Sequence, residues 1–363
     1  MKKKILILGF TKIAYMPYLN FYLEQLNKGD YDISLFYWDR DGKPDKEIKE
    51  NITLYKFQKN MMDSVPKINK ITNFLEYRRE VKKLLKHNRF DMIIVLHTLP
   101  GILLYDELIK NYNKKFILDY RDFTYENISL YKKRIHKLCN SALATFVSSD
   151  AFRVLLPDID NIYTSHNLVI DSLKNRTLRL NEQRCPRPIR IRYWGLIRYT
   201  KTNIALIKQI ANDERFEMHF HGRSQGEALE IQEYCNKHLI KNAYFHGEYL
   251  PEEKYRFAME TDIIQNAQDL DRITQNAVSN KFYDSAIFYI PQLCTKGSFM
   301  GTNVENYGLG LAVDLEKDNI SQILVDYFNN IDWTDFSKRC DSFIEKVTEE
   351  YETGLKIIQE LLA

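Results

Sequence analysis

The chain has 363 residues, enough for two domains of ordinary size; its 44% hydrophobic and 28% charged shares are those of a globular protein. A formal charge of +3 is too small to point to nucleic acid, and no apolar run is long enough to span a bilayer. Five cysteines, Cys139, Cys185, Cys235, Cys294 and Cys340, stand singly, which argues against a disulfide framework or a structural zinc site.

Met1 and three lysines lead directly into Ile5-Leu6-Ile7-Leu8-Gly9, read as a buried first strand (Lys4–Phe10) rather than a signal peptide, so a cytoplasmic location is expected. A helix over Pro17–Asn27 and a strand over Asp32–Trp38 follow. The stretch from Lys67 to Arg89 holds Lys67, Lys70, Arg78, Arg79, Lys82, Lys83, Lys86 and Arg89 against Glu76 and Glu80, with Ile71, Phe74, Leu75, Val81, Leu84 and Leu85 at helical spacing. Such a basic amphipathic helix is either a solvated face beside a core or a surface that leans on anionic lipid. Phe90–Leu96, Lys115–Tyr120 and Ala144–Ser148 read as buried strands, the first two separated by a helix over Gly101–Tyr112. Alternating strands and helices imply right-handed crossovers and a parallel sheet.

A polar stretch from Asp171 to Pro188 interrupts the pattern, which then restarts. Strands are expected at Ile189–Trp194, Phe216–His221, Ala243–His246 and Ile263–Gln265, with helices at Asn203–Asn212, Gly226–Lys237 and Pro251–Met259. The fold class is therefore α/β, with two Rossmann-like doubly wound domains whose strand ends face a cleft. The expected divisions are residues 1–168, a linker over 169–188, a second domain over 189–334, and a helical segment over 335–363 that returns to the first domain. Phe336, Cys340, Phe343, Ile344, Val347 and Tyr351 give that segment an apolar side in need of a partner.

Ligands of such sheets bind at the carboxyl ends of the strands, called here the crest. In GLIRYTK, Gly195 to Lys201, Arg198 and Lys201 would flank a helix start, where free N–H groups and the helix dipole favour an anion. Gly222 and Arg223 follow the next strand and Gly247 the one after, although such glycines often only make turns. In SNKFYDSAIFYIPQL, Ser279 to Leu293, Lys281 and Asp284 are either an exposed ion pair three residues apart or groups awaiting a ligand. Asn276 and Asn280 lie beside them, and these positions on successive crests favour a phosphate-bearing ligand. In the first half, Gly9, Phe10 and Thr11 form the first crest loop. His97 ends a strand, where it is an acceptor contact or a loop histidine. Asp119, Arg121, Asp122 and Glu126 cluster at another strand end, as a substrate grip or a bridge between loops.

The order GLIRYTK, HFHGRS, FHGEYLPEEKY and NKFYDSAIFYIP resembles the carboxy-terminal half of GT-B glycosyltransferases, in particular the family 4-like enzymes of bacterial surface-polysaccharide synthesis. That family carries a pair of glutamates, the second seven residues before a proline. Here Asp284 stands seven residues before Pro291 and Asn276 eight before Asp284, so Asn and Asp replace the two glutamates. The resemblance implies sugar transfer from a nucleotide-sugar donor to a saccharide or lipid-linked acceptor, with retention of configuration and no metal or other cofactor. Arg198, Lys201 and Lys281 would stabilise the leaving diphosphate, with His97 also at the reacting centre. Gly9, Phe10, Gly195, Gly222, Arg223, Gly247, Asn276, Asn280 and Asp284 would bind the donor, Asp284 through ribose hydroxyls. Thr11, Asp119, Arg121, Asp122 and Glu126 would lie on the acceptor side. Two alternatives remain open on the same residues: a GT-B epimerase acting on a UDP-sugar, and a catalytically silent sugar-nucleotide-binding partner.

Overall fold

The computed structural model describes residues 2–48, 51–61, 67–176, 188–223, 226–250 and 252–362, and divides into two compact units. Cys185, Pro251 and most of the expected linker lie outside the described residues. Unit 1 holds residues 1–167 and 349–363, and unit 2 holds 168–348.

Unit 1 contains strands β1 (Lys3–Leu8), β2 (Tyr31–Asp39), β3 (Thr53–Gln58), β4 (Met92–Leu96), β5 (Phe116–Tyr120), β6 (Ala144–Val147) and β7 (Ile162–Thr164). They form one parallel sheet in the order β3-β2-β1-β4-β5-β6-β7. Helices α1 (Leu19–Leu26), α2 (Lys67–His87), α3 (Thr98–Leu103), α4 (Tyr105–Asn111) and α5 (Ser129–Ser141) make the connections. Every residue of β4 and β5 is buried, as expected for strands covered on both faces. Two strands are not apparent in the sequence. Edge strand β3 (TLYKFQ) is only partly buried, and β7 is three residues long. The helix expected over Gly101–Tyr112 is two helices, broken at Leu104.

Unit 2 contains β8 (Ile189–Trp194), β9 (Phe216–His221), β10 (Ala243–Phe245), β11 (Ile263–Gln265), β12 (Gln292–Thr295) and β13 (Gly310–Val313), parallel and ordered β10-β9-β8-β11-β12-β13. Its helices are α6 (Thr200–Ile210), α7 (Glu227–Lys237), α8 (Glu253–Met259), α9 (Asn280–Ile287), α10 (Phe299–Asn306) and α11 (Ile320–Asn330), followed by α12 (Trp333–Leu362). Both sheets reverse their strand order beside their first strand, which defines the doubly wound class.

Two expectations about the joins change. Residues 170–176 are no free linker: Ile170 and Leu173 pack on the core of unit 2, and Arg176 pairs with Asp341 at 2.6 Å. The returning helix changes allegiance later than Asp335. Phe336, Cys340, Phe343, Ile344 and Val347 join Phe282, Tyr283 and Tyr289 in unit 2, and only the turns from Glu349 onward belong to unit 1. There Tyr351 packs on Phe21 and donates to Glu24 at 3.1 Å, while Gly354 lies so close to the Phe21 ring that an added Cβ would come within 2.8 Å. Cys139, Cys235, Cys294 and Cys340 are buried free thiols.

Candidate functional site

The crest of unit 2 is drawn tight by glycine. Gly222 donates its N–H to the Gly247 carbonyl at 2.7 Å, and a Cβ on Gly222 would fall 2.0 Å from the Gly195 carbonyl oxygen. Gly195 and Gly247 have φ of 103° and 77°, a region that side chains disfavour. The ends of β8, β9 and β10 are thus joined where Gly222 allows a close approach and Gly195 and Gly247 allow the positive φ.

From Gly195 the chain runs through Arg198 and left-handed Tyr199 into α6. The anion site expected at this helix start is already filled by the protein's own carboxylates. Glu227 accepts from the Thr200 N–H at 3.0 Å, and Asp269 from the Thr202 N–H at 3.2 Å. Lys201 does not join a clamp either, because its exposed ammonium pairs with Glu316 at 2.7 Å. Arg198 differs: its exposed guanidinium has no hydrogen-bond or ion-pair partner among the described residues, while its carbonyl is fixed by Asn203 Nδ2 at 2.7 Å. Asn203 is itself fully buried and accepts from Gln265 Nε2 at 3.2 Å.

The first turn of α9 supplies the second cation. Ser279 precedes it, donating to Asn266 Oδ1 at 2.6 Å, and the helix opens with exposed Asn280 and half-buried Lys281. The Lys281 ammonium lies 4.2 Å from the centre of the Tyr193 ring and has no carboxylate or hydrogen-bond acceptor among the described residues. Burial lowers its pKa to about 8, with the charge of Asp284 opposing that shift and the charge of Arg198 adding to it. Two cations with no ion-pair partner among the described residues therefore sense one another beside the N-terminus of α9. Asn276 is half-buried in the preceding loop.

Asp284, expected to meet ribose, is only 5% exposed and already engaged on both oxygens. Oδ2 accepts from the Trp194 indole N–H at 2.9 Å and Oδ1 from Lys254 Nζ at 2.9 Å. Trp194, Lys254 and the buried amides Asn203, Gln265 and Asn266 have no signature in the sequence. Lys254 in LPEEKY reads as one more solvated helix charge. Arg223, at the rim, faces Glu248 at 3.1 Å.

In unit 1 most of the expected substrate contacts prove to be internal. Phe10 is buried among Trp38, Phe74 and Tyr77, and Gly9 accepts from the Tyr77 hydroxyl at 3.0 Å while leaving room for Met16. Asp119 and Arg121 form a buried pair, 2.7 Å apart, and the guanidinium also donates to Ser165 O and Oγ. They tie the ends of β5 and β7 together. Glu126 is consumed by the Tyr120 hydroxyl at 2.9 Å and the Thr124 N–H at 2.6 Å.

His97, Asp122 and half-buried Thr11 are the remaining crest groups of this unit. His97 has a φ of 80°, an uncommon state for a residue with a Cβ. Its Nδ1 accepts from the Leu99 N–H at 3.3 Å, so the neutral ring carries its proton on Nε2, 3.6 Å from Asp122 Oδ2.

No family model and no curated protein sequence matches the chain. Solved structures do. A glycosyltransferase from Rickettsia africae ESF-5 superposes with a TM-score of 0.68 at 13% identity, covering 100% of this chain and 99% of the other. Sucrose-phosphate synthase from Thermosynechococcus elongatus gives 0.66 at 12% identity, covering 99% and 95%. UDP-N-acetylglucosamine 2-epimerase from Rickettsia bellii gives 0.61 at 11%, covering 97% of each. The chain has the GT-B type of fold, two Rossmann-like units in tandem, which hosts both sugar transfer and sugar epimerisation.

Proposed function

We propose that the protein is a glycosyltransferase that moves a sugar from a nucleotide-sugar donor to a saccharide or lipid-linked acceptor, without a metal ion. The observation that carries this is the pair of cations at the unit 2 crest, Arg198 and Lys281, that have no hydrogen-bond or ion-pair partner among the described residues. When the bond from sugar to diphosphate breaks, negative charge gathers on the leaving phosphate, and cations already in place stabilise it without reorganising. Asn280 and the N–H groups of the first turn of α9 complete the cradle. Gly195, Gly222 and Gly247 keep the surrounding backbone low enough for a ligand to approach. Retention of configuration and a place in bacterial surface-polysaccharide synthesis rest on the motif resemblance. In unit 1, His97 offers an Nε2–H donor beside Asp122, and Thr11 a hydroxyl, for sugar or acceptor hydroxyls.

A second reading, epimerisation of a UDP-sugar, is favoured by the fold shared with the epimerase. One assay separates the two. Incubated with UDP-, GDP-, CDP- and dTDP-sugars without acceptor, a transferase slowly releases nucleoside diphosphate, and an epimerase interconverts sugars. Binding with neither product marks a silent partner and overturns both readings. A bound nucleotide at a hundred times its Kd should raise stability by about 2.7 kcal/mol, readable as a melting shift.

The lipid-linked class of acceptor is supported by α2. Tyr77, Val81 and Leu84 face the core, whereas Ile71 and Leu75 are more than half exposed, in line with exposed Arg79, Lys83 and Lys86. Arg78 and Lys82 pair with Asp106 of α4, and Lys82 also with Glu107. Lys83, Lys86 and Arg89 have no acidic partner among the described residues, so an apolar pair and a basic stripe share one outward face. Sedimentation with vesicles containing anionic lipid should retain the protein, and Lys83→Glu with Lys86→Glu should release it, as should raised salt. Equal retention by neutral vesicles, or none by either, identifies α2 as a solvated face.

A further inference from the structure

We propose that Asp284 is a positioning residue: through Trp194 and Lys254 it fixes the first turn of α9 against the end of β8, and its ion pair with Lys254 sets how much positive charge Lys281 offers a diphosphate. This rests on the reading that Lys281 and Arg198 face the diphosphate, and adds to it the device that holds and tunes them.

The geometry joins three elements on one carboxylate. Trp194 ends β8, immediately before the loop that carries Arg198; Lys254 comes from α8; Asp284 lies on α9, one turn after Lys281. With 5% exposure, Asp284 has little water to supply other donors, and both of its partners are protein groups. Its charge favours the charged form of the Lys281 ammonium, one turn earlier on the same helix.

The groups around Lys281 can be named. Asp284 on its own helix favours the charged ammonium. Arg198, from the loop after β8, disfavours it. The Tyr193 ring of β8 presents its face, and the buried Cys294 thiol of β12 is pushed towards its neutral form. Lys254 sits on the far partner of the pair, where its charge offsets that of Asp284.

Two near-isosteric variants change this balance in opposite directions. Asp284→Asn keeps an acceptor for the Trp194 indole and removes the negative charge next to Lys281. Lys254→Gln keeps a donor to the carboxylate and removes the charge that offsets it. Purely structural damage would weaken binding in both variants. Charge tuning predicts that they diverge.

The experiment is calorimetric titration of the full chain with whichever of UDP, GDP, CDP and dTDP binds, from about pH 6.5 to about pH 9, the range over which a lysine with this environment changes charge. Wild-type affinity should decline through the upper part of this range. In Asp284→Asn the decline should begin at lower pH, leaving binding several-fold weaker than wild type near pH 8. In Lys254→Gln it should begin at higher pH. Lys281→Met should bind weakly with no such decline, and melting curves at the lowest pH establish that each variant is folded.

Parallel losses in Asp284→Asn and Lys254→Gln at all pH values, or pH profiles identical to wild type, overturn the proposal while leaving the diphosphate reading intact. Failure of all four nucleotides to bind the wild type, or full binding by Lys281→Met, overturns both.

Discussion

Lys281→Met and Arg198→Ala are each expected to lower kcat/KM by about 2–4 kcal/mol, a loss on the order of 30- to 1,000-fold. The size follows from the timing of the charge. A cation facing a diphosphate interacts with it in the ground state, but the leaving oxygen gains further negative charge as the glycosidic bond opens, so part of the loss should fall on kcat. Stability should change little for Arg198→Ala, since that side chain is exposed and makes no hydrogen bond or ion pair with the described residues. Lys281→Met keeps the stem that packs by the Tyr193 ring and relieves the cost of burying an ammonium, so its melting temperature should hold or rise. Lys201→Ala is the internal control. Its ammonium serves an exposed pair with Glu316, and activity should stay within a few-fold of wild type. A Lys201 variant as damaged as the Lys281 variant would move the anion site back to the start of α6.

The second large effect is on stability in mild acid. Tyr244, His219, His246, His221 and Phe257 form a column of rings, with adjacent centroids 4.1–5.3 Å apart. Arg192 donates to His221 Nε2 at 2.9 Å and reaches Glu260 at 3.0 Å, and Glu217 lies 3.2 Å from His219 Nε2. Burial lowers all three imidazoles, His219 to about 4 and His221 to about 3, and the Arg192 charge pushes the same way. The unfolded chain binds these protons near pH 6.5, whereas the native protein refuses them. The contribution is therefore complete above pH 6.5 and is lost as the pH falls from there towards the folded values. By about pH 5 each of the two buried rings costs about 2 kcal/mol. Urea midpoints taken between neutral pH and pH 5 should fall steadily, and His221→Gln, which keeps an acceptor for Arg192, should reduce the slope. A flat midpoint over that interval would show that the rings accept protons in the native state.

How legible all this was in the sequence depends on the range of the interaction involved. The βαβ alternation was legible because strands covered on both faces must be largely apolar, as MIIVL is throughout and FILDY is but for Asp119. Strand β3 was not: at a sheet edge TLYKFQ needs to bury only part of its surface, so its composition carries no core signal. The crest glycines announced close backbone approach, although not which carbonyl they approach. Arg198 and Lys281 were legible as cations near helix starts, but so was Lys201, and nothing local distinguishes the three.

By itself the sequence determined most of the alternation of strands and helices, the two-unit class and the presence of cations near the strand ends of the second unit, because these follow from periodicity and residue chemistry within short windows. Tertiary structure alone decided which charges remain available. Glu227, Asp269, Glu316, Lys254 and Ser165 come from positions far along the chain to engage Thr200, Thr202, Lys201, Asp284 and Arg121. Whether a side chain can bind a ligand depends on whether a folded neighbour has already satisfied it, and that pairing is fixed by how strands and helices cross in space.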